Sequence, residues 1–266
     1  MSSALTRSTP PRSDPPRSAL LLVAHGSRDR RHASTVRAVA ERVRRQAGRP
    51  LRVEPAFLEL SAPSLEHAVD NLAGDGVQEI TIVPHLLGTA FHARRDLPAR
   101  LCVAAVRHPG LTLRQTPVLG PSPLLEQALR QRVLEAGARI SAPGTGVILG
   151  WSGSRDPAAI AAADRVAAAL RSPVGPAIPV PATTAADSYP EAAARLRASG
   201  AHRIILARYL LAPGCLPDRL AEAADPGTTV TAVLGDAPEI AQLVLERYRL
   251  STAAVHIAAG AAYRGK

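Results

Sequence analysis

Three segments of this sequence occur twice, in the same order. Val23-Ala24-His25-Gly26-Ser27-Arg28-Asp29 returns as Gly150-Trp151-Ser152-Gly153-Ser154-Arg155-Asp156. Residues 76–87, GVQEITIVPHLL, return as residues 200–211, GAHRIILARYLL, and Val118-Leu119-Gly120 before Pro123 returns as Val233-Leu234-Gly235 before Pro238. The offsets are 127, 124 and 115 positions, so loops change length while the order holds. A 266-residue chain built this way is expected to fold as two homologous lobes. In the first copy the apolar run 19–24 precedes Val36, Val39, Ala40 and Val43 at helical spacing. Strands are expected at 51–58, 79–84 and 111–119, and helices at 65–72, 96–106 and 123–136. This alternation predicts an α/β fold of two lobes, each a parallel sheet with helices on both faces, and a cleft between them. Ligands of such sheets sit outside the carboxyl ends of the strands.

The expected domains are a disordered leader at 1–17, an N-terminal lobe at 18–140 carrying the metal site, a turn-rich linker at 141–146, a degenerate C-terminal lobe at 147–251, and a tail at 252–266 without a sheet partner. The leader is rich in proline, serine and arginine and has no apolar stretch of the kind a signal peptide carries. No apolar run approaches the roughly 20 residues of a spanning helix, so no membrane partner is expected. Two cysteines, Cys102 and Cys215, lie far apart, which argues against a disulfide scaffold or a cysteine-rich metal site and for a reducing, cytoplasmic setting. The net charge of +10 rests on arginine, since Lys266 is the only lysine, and aromatics make up 3% of the chain. That composition disfavours a nucleic-acid partner, which would stack bases on aromatic rings. It suits acidic small molecules, because guanidinium groups pair with carboxylates.

Chemistry concentrates after the first three strands. His25 follows the first, Glu59 the second, and His92 lies in the loop after the third. Two imidazoles and a carboxylate at one sheet edge suit a divalent metal, or a base and ligand acting together. At the matching places the second copy carries Ser152, Ala185 or Ala186, and Leu216. A purely structural role would be wanted in both copies, so the loss from one favours function. His85, inside an apolar segment and echoed by Tyr209, reads as a packed ring. His32, His67, His108, His202 and His256 lack companion ligands and read as surface or helix residues. Trp151 reads as core or as a wall of the cleft. Gly26-Ser27 at a helix start can offer backbone N–H groups to an anion, but G-x-G-x-x-G and G-x-x-x-x-G-K-[ST] are absent, so no nucleotide is expected. The G-x-S-x-G elbow of hydrolases is absent too.

The ordered set LLLVAHGSRD, PAFLELSAPSL and EITIVPHLLGTAFHARRDLP resembles the sirohydrochlorin chelatases of the class II chelatase family. The resemblance covers residues 19–137 well and the second lobe more faintly. In one departure from the family pattern, Gly88 stands farther from His92 than the usual G-x-H arrangement. The family closes two α/β lobes around a cleft and inserts a divalent metal into a tetrapyrrole without ATP. The resemblance implies that His25 and His92 ligate the metal, with Glu59 as a third ligand or proton relay. It implies Fe²⁺ or Co²⁺ as the metal substrate, in sirohaem or cobalamin biosynthesis. Sirohydrochlorin bears eight carboxylates, and Ser27, Arg28, Arg94 and Arg95 are the expected contacts to them. A lyase working as a two-lobed monomer is the expectation; the alternative is a non-catalytic tetrapyrrole or metal carrier.

Overall fold

The computed structural model describes residues 18–48, 50–88 and 95–250, with the backbone of 255–257. The leader, His92 and Arg94 lie outside the described residues. Strand β1 (Ser18–Ala24) is buried from Ala19 onward because it lies at the middle of a parallel sheet with both faces covered. It pairs with β2 (Arg52–Phe57) on one side and β3 (Glu79–Pro84) on the other, and β4 (Thr112–Gln115) adds to β3. The second sheet repeats this order: β5 (Thr145–Trp151) lies between β6 (Ile178–Pro181) and β7 (Arg203–Tyr209), with β8 (Thr229–Val230) outside β7. The two-lobed α/β fold expected from the repeats is the fold observed.

The helices follow from caps and apolar stripes. In α1 (Arg30–Gln46), Ala33, Val36, Val39, Ala40 and Val43 form the buried stripe, and the Asp29 carboxylate caps the first turn by accepting the Arg31 N–H. Helices α2 (Leu65–Gly74) and α3 (Leu97–Arg107) cover the opposite face of the first sheet. Alternate β1 residues divide accordingly: Leu20, Leu22 and Ala24 join the α1 side, while Ala19, Leu21 and Val23 pack with α2 and α3. In the second lobe, α5 (Pro157–Ala169) flanks β5 and β6, whereas α6 (Ala185–Ala198) and α7 (Cys215–Glu222) cover the far face.

The last helix of each lobe crosses to the other lobe. Helix α4 (Pro123–Glu135) packs on β7, and α8 (Pro238–Arg249) packs on α1, α4 and β3. One apolar cluster therefore holds Leu20 and Val83 together with Leu149, Ile205 and Val244. Reciprocal arginines seal the exchange. Arg132 of α4 donates to the Leu234 carbonyl at 2.7 Å, and Arg247 of α8 donates to the Val118 and Leu119 carbonyls at 3.0 Å each.

Three boundaries differ from expectation. Strand β4 stops at Gln115, where Pro117 soon withdraws a backbone donor. Strand β5 begins at Thr145, inside the expected linker, because its first residues pair with Arg203 and Ile204. The tail has a partner after all: β9 (Val255–Ile257) runs antiparallel to β4 and makes the first sheet five-stranded. A sequence reading misses it because a three-residue strand carries too little pattern to register.

Candidate active site

Backbone hydrogen bonds continue past the ends of the strands and deliver the loops to one edge. Leu58 N–H donates to the Ala24 carbonyl (3.0 Å), Glu59 N–H to the His25 carbonyl (2.8 Å), and His85 N–H to the Val23 carbonyl (2.7 Å). The turn at Gly26 has φ +98°, and a Cβ there would stand 1.7 Å from the Glu59 carbonyl oxygen. Only glycine lets the two loops approach so closely. A serine pair clasps them further on. Ser27 N–H donates to Ser61 Oγ (3.1 Å) while the Ser61 hydroxyl donates to the Ser27 carbonyl (3.0 Å). The Ser27 N–H is thus occupied, and the expected anion contact of the Gly26-Ser27 backbone loses that donor.

At these strand ends the lobes enclose a cavity of about 540 Å³. His25, His32 and His85 line it from the first lobe, and Trp151, Tyr209 and Leu216 from the second. Ser152, the echo of His25, lines it as well. The size falls within the ordinary range for small-molecule sites. His85 is 3% exposed, and burial, helped by charge on His32, pushes its pKa down to about 3. Burial first, then charge on His25, lowers His32 as well. Both rings are therefore neutral near pH 7. Burial, then the Glu126 charge, raises the Tyr209 hydroxyl, which keeps its proton. His32 Nδ1, His85 Nε2 and Trp151 Nε1 are buried and have no hydrogen-bond partner among the described residues. Buried polar atoms are rarely left so, and three of them lie around this one cavity.

The expected site residues are not all brought together. His25 lines the cavity; the Glu59 side chain is exposed and is not among the residues lining it. Among the described residues no three His, Cys, Asp or Glu side chains are grouped to hold a metal. Arg28 and Ser27 line a second, open groove of about 950 Å³ along α1, together with Arg30, Arg31, Arg37 and Arg132. Arg31 is committed to Asp29 and, across the lobes, to Asp218. Arg95 is exposed and lines neither space. His85 is packed, as expected, yet it also faces the cavity; so does His32, read from sequence as a surface or helix residue. The available signal for His32 was its place in the first turn of α1, directly after the His25 loop. Cys215, at the start of α7, also lines the cavity, as does Trp151, which belongs to the core as well.

Trp151 is the only tryptophan in the chain, so its emission reports on this cavity directly. Adding metal-free sirohydrochlorin is expected to quench that emission saturably, and a flat titration would show that the ring does not enter.

The CbiX family profile matches residues 19–136 and 146–251. Among curated proteins, the sirohydrochlorin ferrochelatase of Bacillus subtilis (strain 168) is 27% identical over 243 residues, 88% of this chain and 92% of the relative. The sirohydrochlorin cobaltochelatase of Priestia megaterium is 26% identical over 141 residues, 52% of this chain and 45% of the relative. Among solved structures, SirB from Bacillus subtilis with Fe³⁺ superposes with TM-score 0.71 at 26% identity, covering 89% of this chain and 96% of that one. SirB from the subspecies spizizenii in complex with cobalt gives TM-score 0.67 at 24% identity over 88% and 94%. With both lobes matched by one family profile and nearly the whole chain sharing the fold of a solved chelatase, this chain belongs to the CbiX family.

Proposed function

We propose that this chain is a sirohydrochlorin chelatase, a lyase that exchanges two pyrrole N–H protons for a divalent metal without a nucleotide. One observation carries the reading: a cavity at the carboxyl ends of β1, β3, β5 and β7 is walled by both lobes and lined by His25 and two neutral imidazoles. A neutral imidazole gives a lone pair to Fe²⁺ or Co²⁺ without electrostatic opposition to the cation. His25 and His92 hold the metal in this reading. Glu59 acts at the rim as a proton relay, which accords with its exposure. Arg28, Arg94, Arg95 and Ser27 contact the outer carboxylates of the ring, and the arginine-lined groove beside the cavity supports this for Arg28 and Ser27. Both walls come from one chain, so a monomer is sufficient. Iron is favoured, because a curated relative matched across both lobes, from Bacillus subtilis, is a ferrochelatase.

The test is an anaerobic absorbance time course of sirohydrochlorin with catalytic protein and Fe²⁺ or Co²⁺. The parent should turn over many times; His25→Ala and His92→Ala should each lose roughly 100-fold or more in rate, and Glu59→Gln about 100-fold, the low end for loss of one proton-transfer group. Saturation at one ring per protein, with no further change, would establish the carrier instead.

A further inference from the structure

Leu60 has φ +58°, the only non-glycine residue with positive φ among the described residues. A bulky side chain in the left-handed region is an outlier that persists only where its surroundings hold it there. Here they do. On its N-terminal side Leu58 N–H bonds the Ala24 carbonyl (3.0 Å), the Leu58 carbonyl accepts Arg100 (2.5 Å), and Glu59 N–H bonds the His25 carbonyl (2.8 Å). On its C-terminal side Ser61 makes the reciprocal pair with Ser27. The strain does not serve to bury the side chain, which is 55% exposed. An exposed leucine alone means little. This one lines both the histidine-bearing cavity and the arginine-lined groove, and among the described residues only Ser27 and Pro213 also line both.

We infer that Leu60 is a macrocycle-contacting residue: with Pro213 across the cleft it forms an apolar saddle between cavity and groove. The tetrapyrrole rests on it with one edge toward His25 and outer carboxylates over Arg28, Arg30 and Arg37. The inference rests on the chelatase reading, which supplies the flat apolar ring fringed with acids. Such a ligand needs an apolar support between a metal-bearing floor and a cationic rim. A strained leucine is a costly way to fill a turn that glycine or asparagine fills freely.

The experiment compares Leu60→Gly, Leu60→Asn and Leu60→Met in the full chain by melting temperature, Co²⁺ binding, and titration with metal-free sirohydrochlorin. Glycine and asparagine suit φ +58°, so both variants should melt at or above the parent temperature. They should bind Co²⁺ within about twofold of the parent yet bind the ring about tenfold or more weakly, the worth of a partly covered leucine side chain. Leu60→Met, which keeps an apolar side chain, should retain ring affinity within about threefold. Ring affinity unchanged in Leu60→Gly and Leu60→Asn would overturn the inference and leave the chelatase reading standing. A loss of ring binding that comes only with a lower melting temperature and weaker Co²⁺ binding would make Leu60 structural and overturn it too. A parent that fails to bind the ring would overturn both.

Discussion

Replacing Gly26 by alanine is expected to lower the melting temperature by roughly 5–15 °C and turnover by about 100-fold. A Cβ at this position would stand 1.7 Å from the Glu59 carbonyl oxygen, far inside any contact, and φ is +98°. The backbone must therefore move. Either the His25 turn rotates, or the loop that follows β2 is pushed away and the Ser27–Ser61 bonds part. The cost is on the order of 2–4 kcal/mol, the sum of left-handed strain and a broken close approach. A displacement of about 1 Å at His25 is enough to spoil a metal-transfer geometry. Two controls separate the causes. Gly48→Ala meets nothing within 4 Å but has φ +69°, so it should carry the backbone cost alone, about 1 kcal/mol. Gly88→Ala, at the cavity with no described residue within 4 Å of the added Cβ and no positive φ, should be nearly silent in stability. Equal melting temperatures for Gly26→Ala and Gly48→Ala would show that the close approach to Glu59 is not maintained.

A second large effect is expected from pH. His85 is buried and its pKa is lowered from 6.5 to about 3. Between these values the unfolded chain binds a proton that the folded chain refuses. Stability is therefore full above about pH 6.5 and falls as pH drops toward 3, by about 1.4 kcal/mol per pH unit. His32, also lowered, adds to the same slope. By pH 4.5 the parent should have lost on the order of 3 kcal/mol through His85. His85→Leu removes both the titration and an unpartnered buried nitrogen, so it should match the parent near neutrality and lose less in acid. Denaturant unfolding at several pH values reads this directly. Parallel curves for parent and variant would mean that the His85 ring is solvated or paired in solution.

The first sheet was largely legible because its signals are local. The run 19–24 is apolar throughout, which suits a short strand buried on both faces, and residues 79–84 form the strand expected there. The position of His25 directly after β1 placed it at the ligand edge from connectivity alone. Glu59 was less legible. Following the strand fixes where its backbone arrives but not where its carboxylate points, and the side chain is exposed. His85 is packed and His32 lies in α1, both as expected, but neither position along the chain shows that the two rings also line the cavity.

Composition, repeat and period therefore determined the α/β class, the two lobes and the edge at which chemistry occurs. These depend on nearest neighbours along the chain: apolar periodicity, caps and turn residues act within a few positions. The tertiary structure alone decided that α4 and α8 change places, that β9 returns to the first sheet, and that Arg132 and Arg247 bind carbonyls of the opposite lobe. It also decided that His32, His85, Trp151 and Tyr209 share one cavity with His25. An apolar helix face specifies that it must be covered but not by which partner. That choice is settled only when the two sheets, carrying matching faces, bury them against each other in one core.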